Sequence, residues 1–160
     1  MKSRIELLPE KKLVGMHLSM SFADNKTVEL WRSFMPQRSK IQNPVSADLF
    51  SMQIFPASFD FSSINPYEVF EKWAAIEVAD YNQVPGGMET FLLPQGLYAV
   101  FLHKGAAQTA QQTFQFIFGV WLPASGYAID SRPHFEILGE KYKNNDPDSE
   151  EEIWIPVRGI

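Results

Sequence analysis

Two stretches of this chain repeat one order of elements: strand, helix, strand, strand. In the first, Ile5–Leu8 and Leu13–Ser21 read as strand, interrupted by Pro9 and the charged Glu10-Lys11-Lys12. Asp24 offers an N-cap, and Thr27, Leu30, Trp31, Phe34 and Met35 recur at helical spacing up to Pro36, which ends or kinks the helix. Ala47–Pro56 and Phe70–Tyr81 follow as strands, the latter with Trp73, Ala75, Glu77 and Ala79 on one face. After the turn Val84–Glu89 the order returns. Gly96–Lys104 is an apolar strand, and the segment from Gly105 to Leu122 carries Phe114, Ile117, Phe118 and Trp121 on one helical stripe. Pro133–Tyr142 and Glu151–Val157 form a closing hairpin around the turn formers Asn144–Ser149. Even the wording repeats, since Phe34-Met35-Pro36 ends the first helix as Trp121-Leu122-Pro123 ends the second.

Such repetition implies an internal duplication about a pseudo-two-fold axis. The expected fold is α+β, a single domain over residues 1–160. Two strand-helix-strand-strand units build one antiparallel sheet, with helices near Asn25–Met35 and Ala107–Trp121 on one face and a ligand cleft between them.

Within the closing hairpin one residue is out of place. Glu136 stands between Phe135 and Ile137 in a strand that should be mostly buried. A desolvated carboxylate is costly unless something charged or hydrogen-bonding meets it. From periodicity alone Glu136 fits the solvent face of the strand as well as a buried site. An aromatic content of 14% exceeds what a small core needs, and a wet aromatic pocket is one use for the surplus. The formal charge of −5, with scattered lysines and arginines and no recognition helix, argues against direct nucleic-acid binding and favours a cationic or neutral ligand. The absence of cysteine removes disulfide and thiolate chemistry. Neither a signal peptide nor a membrane-spanning apolar run is present, so a cytoplasmic protein is expected.

Six pieces in order carry a resemblance: WAAIEVAD from Trp73, VPGGME from Val84, GLYAVFLHKG from Gly96, WLPASG from Trp121, PHFE from Pro133 and DPDSEEEIWIPV from Asp146. Together they resemble the GyrI-like, or bacterial effector-binding, domain, from about Trp73 to the end. The resemblance implies a duplicated fold with a ligand cleft. Its buried glutamate, which faces cationic ligands, corresponds to Glu136, and its stacking aromatic in the last strand to Trp154. Where the common pattern has a tyrosine two residues after the glutamate, this chain has Leu138, a less polar wall. Trp73, Phe101, Phe114 and Trp121 complete the expected ligand-binding set, although helix-face aromatics such as Trp31, Phe34, Phe114 and Phe118 also suit plain packing on the sheet. With no DNA-binding segment ahead of Met1, the sequence reads as a stand-alone member.

Three functions are compatible with these residues. The leading one is binding of a small organic cation or amphiphile, by charge and cation–π attraction. The second is hydrolysis of a reactive small molecule, with Glu136 as general acid or base. The third is modulation of a DNA-handling enzyme through a protein contact, as the resemblance to gyrase-modulating members implies. No cofactor or metal is expected, because His103 and His134 lack metal-ligand spacing. Ser125 has no nucleophile-elbow surroundings and reads as a turn cap, and Asp146–Glu152 reads as a solvated hairpin tip that could also meet a basic partner.

Overall fold

The computed structural model describes residues 2–106, 109–143 and 146–160. In chain order these form β1 (Ser3–Leu8), β2 (Lys11–Met20), α1 (Thr27–Phe34), β3 (Leu49–Ile54), β4 (Phe70–Glu77), β5 (Glu89–Leu93), β6 (Gly96–Lys104), α2 (Ala110–Phe116), β7 (Tyr127–Ile129), β8 (His134–Leu138) and β9 (Glu150–Gly159). A 3₁₀ turn, Met35–Lys40, extends α1, with Pro36 in its first turn. A π-helical turn at Ile117–Trp121 and a last turn at Leu122–Ser125 extend α2, and Gly126 ends it in the left-handed conformation, φ 79°. Residues 107 and 108 of the expected second helix, and Asn144 and Asn145 of the expected turn, lie outside the described residues.

All nine strands join one antiparallel sheet in the order β1-β6-β9-β8-β3-β4-β2-β5, with β7 paired to β9. The order is palindromic about the β8–β3 pair. On one side stand β8, β9 and β6; on the other β3, β4 and β2, each set from one strand-helix-strand-strand unit. The expected duplicated architecture is therefore present.

The connections force this sheet to curl. Only Pro9 and Glu10 join β1 to β2, yet the two strands lie six positions apart. Across a flat sheet that gap is about 29 Å, whereas the link spans roughly 10 Å. The two ends of the sheet must therefore approach each other. Accordingly the inner cluster draws Leu8, Leu13, Met52, Trp73, Leu93, Tyr98, Phe135 and Trp154 from both ends and the middle. Both helices lie on the outer face. Leu30 and Phe34 of α1 pack on Val14, Ala74 and Ile76, and Ile117 beyond α2 packs on Ala99, Phe101, Ile153 and Ile155.

Several boundaries differ from expectation. Asn25, not Asp24, prepares α1: its side-chain oxygen accepts from the Thr27 N–H at 2.9 Å. β8 stops at Leu138, because Gly139 starts a turn in which its carbonyl accepts from Tyr142 N at 3.1 Å. β5 and β7 are short strands with no pronounced alternation of their own, held by pairing to β2 and β9. Ser125 has the turn role read for it, donating to Leu122 O at 2.8 Å and accepting from Tyr127 N at 3.0 Å.

Candidate functional site: a charged groove between the helices

On the outer face one transverse row runs through Phe101, Ile153, Glu136, Ser51, Ala74 and Met16, register partners on six successive strands. The clusters under the two helices absorb both ends of this row. Its middle, on β3 and β8, belongs to neither, and this strip of sheet between the two helix clusters is here called the groove. Glu136 is half-buried there, and its Oε2 accepts from Gln53 Nε2 at 3.1 Å. One row along, Gln53 is the partner of both His134 and Lys72, and Lys72 is only 7% exposed. Two residues before Ile153, and so on the same face by strand alternation, Glu151 adds a second carboxylate.

These groups set one another's protonation. Burial pushes the Glu136 carboxyl up, opposed by the Lys72 ammonium and the Gln53 amide. Burial, with the Glu136 charge behind it, pushes Glu151 up to about 7. Lys72 is pushed down by burial and back up by Glu136 and Glu151. Among the described residues it makes no close ion pair, so this coupling acts through space. Neither Lys72, Gln53 nor Glu151 was picked out from the sequence.

Aromatic residues close one end of the groove. Phe61, from the β3–β4 connection, stacks on His134 at 4.9 Å and on Phe118 of the π turn at 5.1 Å, while Phe55 meets His134 edge-on at 5.0 Å. Burial among these rings pushes His134 down to about 3, so it stays neutral. His103 is buried on the same face as the register partner of Glu151, its Nδ1 2.8 Å from Thr113 Oγ1. Among the described residues no group of three or more His, Asp or Glu is placed to hold a metal ion.

The predicted site residues divide between the faces. Phe101, Phe114 and Trp121 gather with Ile153 beside the groove, Phe101 meeting Trp121 edge-on at 5.0 Å. Trp154 and Trp73 do not join them, which corrects the expectation of one shared cleft. Glu136 pairs with Ile153 and Phe135 with Trp154, so alternation sends Trp154 to the inner face. There it stacks on Phe135 at 5.3 Å and donates to Glu152 at 3.1 Å. Trp73 is also an inner-face residue, stacked 4.4 Å from His17, which in turn contacts Glu71 and Glu89. The acidic run is likewise not wholly a solvated tip, since Glu151 turns into the groove and Ser149 is 3% exposed.

Residues 1–158 match the GyrI-like small molecule binding domain. The chain belongs to this family. Its span reaches well before Trp73, where the sequence resemblance began. The transcriptional regulator BrlR of Pseudomonas aeruginosa is 28% identical over 158 residues, 98% of this chain and 56% of the regulator's length. The chain thus spans little more than half of that curated relative. Among solved structures, a putative transcription regulation protein from Staphylococcus aureus MU50 superposes with a TM-score of 0.74 at 18% identity, covering 99% of each chain. The structure of SAV2435 bound to tetraphenylphosphonium gives 0.72 at 17% identity, covering 99% of this chain and 95% of that one. At such identities the structural likeness establishes the fold. Membership in the family makes this GyrI-like domain a small-molecule-binding one, and among its described residues no helix is long and apolar enough to cross a membrane.

Proposed function

We propose that this GyrI-like domain binds a small organic cation in the groove between its helices, with Glu136 as the central countercharge and Glu151 as its neighbour. The observation that carries the reading is a half-buried carboxylate with one neutral hydrogen-bond donor and no close ion pair among the described residues, flanked by aromatic surface. Such a carboxylate gains from any desolvated cation that reaches it, and rings at the groove wall add cation–π attraction. Because charge and ring faces impose little direction, the site tolerates varied shapes, as an effector sensor requires. The tetraphenylphosphonium held by SAV2435 and the regulator BrlR fit this reading, in which the bound cation serves as the effector of a transcription regulator.

Glu136→Gln tests it. The substitution keeps size and hydrogen-bonding capacity while removing the charge. Titration with tetraphenylphosphonium should show affinity weakened by about 1–3 kcal/mol, with binding of a neutral analogue of similar size unchanged. Equal cation affinity in both proteins would refute the central role of Glu136. The raised proton affinity of the two carboxylates also favours a second reading, hydrolysis of a reactive small molecule with Glu136 as general acid or base. In that case Glu136→Gln abolishes turnover while leaving substrate affinity largely intact.

A further inference from the structure

Lys72 is a buried ammonium at the site of a proposed cation, and the binding reading above gives it no role. We infer that Lys72 fixes the charge of the effector at one, so that the groove accepts singly charged organic cations and rejects doubly charged ones. This inference rests on the proposed binding of cations in the groove.

The argument is a count of charges on the groove floor. β8 supplies Glu136 and β9 supplies Glu151, while β4 supplies Lys72. Other titratable groups lie on this face: His134 of β8, buried among rings and neutral; His103 of β6, the register partner of Glu151, whose ring nitrogens face Thr113 and the Ala106 carbonyl; and Tyr142, near Glu151, whose phenol burial pushes up. With Lys72 protonated the floor carries at most one net negative charge. One bound cation then neutralises it. A second positive charge on the same ligand would be desolvated with no countercharge left to meet it, and would face Lys72 as well.

Lys72 alternates with Ala74, Ile76 and Val78 on the helix-bearing face of the β4 region and is the charged exception in that set. Its register partner Gln53 donates to Glu136 at 3.1 Å, which sets the Lys72 ammonium beside the groove carboxylates. That placement makes it a determinant of ligand charge by repulsion, the disfavouring half of specificity.

The experiment compares two probes at pH 8, where Glu151 is mostly ionised: a decyl-quinolinium, and the bis-quinolinium in which a second ring caps the same decyl chain. The wild-type domain should prefer the monocation. In Lys72→Met the repelling positive charge is gone while the carboxylates remain, and the ratio of dication to monocation affinity should rise by roughly tenfold or more. Lys72→Arg keeps the charge and should keep the wild-type ratio. Should Lys72→Met fail to fold, as judged by its thermal transition, Lys72→Gln is read in the same way. An unchanged ratio in the uncharged variant, with the monocation still bound, overturns the role of Lys72 alone. Failure of both probes to bind the wild type overturns the groove reading and this inference with it.

Discussion

Glu136 and Trp154 sit on paired strands, one register step apart, and point to opposite faces of the sheet. Trp154 is therefore a core residue, stacked on Phe135 and packed near Tyr98. Trp154→Ala should cost about 3–5 kcal/mol of stability, the usual range for deleting a buried tryptophan. The affinity of the folded fraction for tetraphenylphosphonium should stay within twofold, roughly the size of a surface effect. Urea denaturation and ligand titration of the same preparation check both statements.

Glu151 makes stability depend on pH. Its folded-state pKa of about 7 lies above the ordinary carboxyl value of 4.5. The folded protein thus binds this proton more tightly than the unfolded chain. The resulting stabilisation is fully present below pH 4.5, falls as pH rises through the window to about 7, and is flat above it. Its full extent is about 3 kcal/mol. Glu151→Gln removes this slope. The stability of the variant relative to wild type should therefore climb between those two pH values, as measured by denaturant unfolding across a pH series.

Opening the aromatic end of the groove should be visible at His134. Phe61 covers this imidazole and links it to Phe118. Phe61→Ala admits water to the ring, so the pKa of His134 should rise from about 3 toward its ordinary value of 6.5. An NMR titration of the histidine ring protons follows the change. The accompanying loss of stability should be about 2–4 kcal/mol, for the four ring pairs Phe61 makes with Phe55, Phe59, Phe118 and His134.

β2 and β4 approach closely at Gly15. A Cβ added there would stand 2.1 Å from Ala74 O and 2.8 Å from Ala75 Cα, both backbone atoms with little room to yield. Gly15→Ala should cost more than about 3 kcal/mol, beyond the usual range for overpacking, because it separates two central strands. A thermal melt suffices to test it, and a transition within a few degrees of wild type contradicts the packing described.

The sequence made the duplication legible because each unit repeats the same changes of period, from two to 3.6 and back. Glu136 stood out because a carboxylate between Phe135 and Ile137 has few inexpensive placements. Lys72 escaped notice for a reason of parity. In FEKWAAIEV the conspicuous residues are Trp73, Ala75 and Glu77 on one face, while the alternate face of Lys72, Ala74, Ile76 and Val78 holds the informative exception. Trp154 was misplaced for a similar reason. Its face depends on how β9 pairs with β8 across a long connection, and one residue of register reverses every side chain. Glu151 was hidden in an acidic run that resembles a solvated turn, and β5 owes its existence to β2, far away in sequence.

The curl of the sheet has a consequence for how the protein folds and how such a chain could arise. β1 comes from the first unit but pairs with β6 of the second, while β5 opens the second unit and pairs with β2 of the first. Each half lends its leading strand to the other, so neither can close its own hydrogen-bond ladder. A fragment holding one half would present bare strand edges until it met a second copy, in which the same exchange could occur between two chains. With each half completed by the other's leading strand, the two halves should form and melt as one cooperative unit.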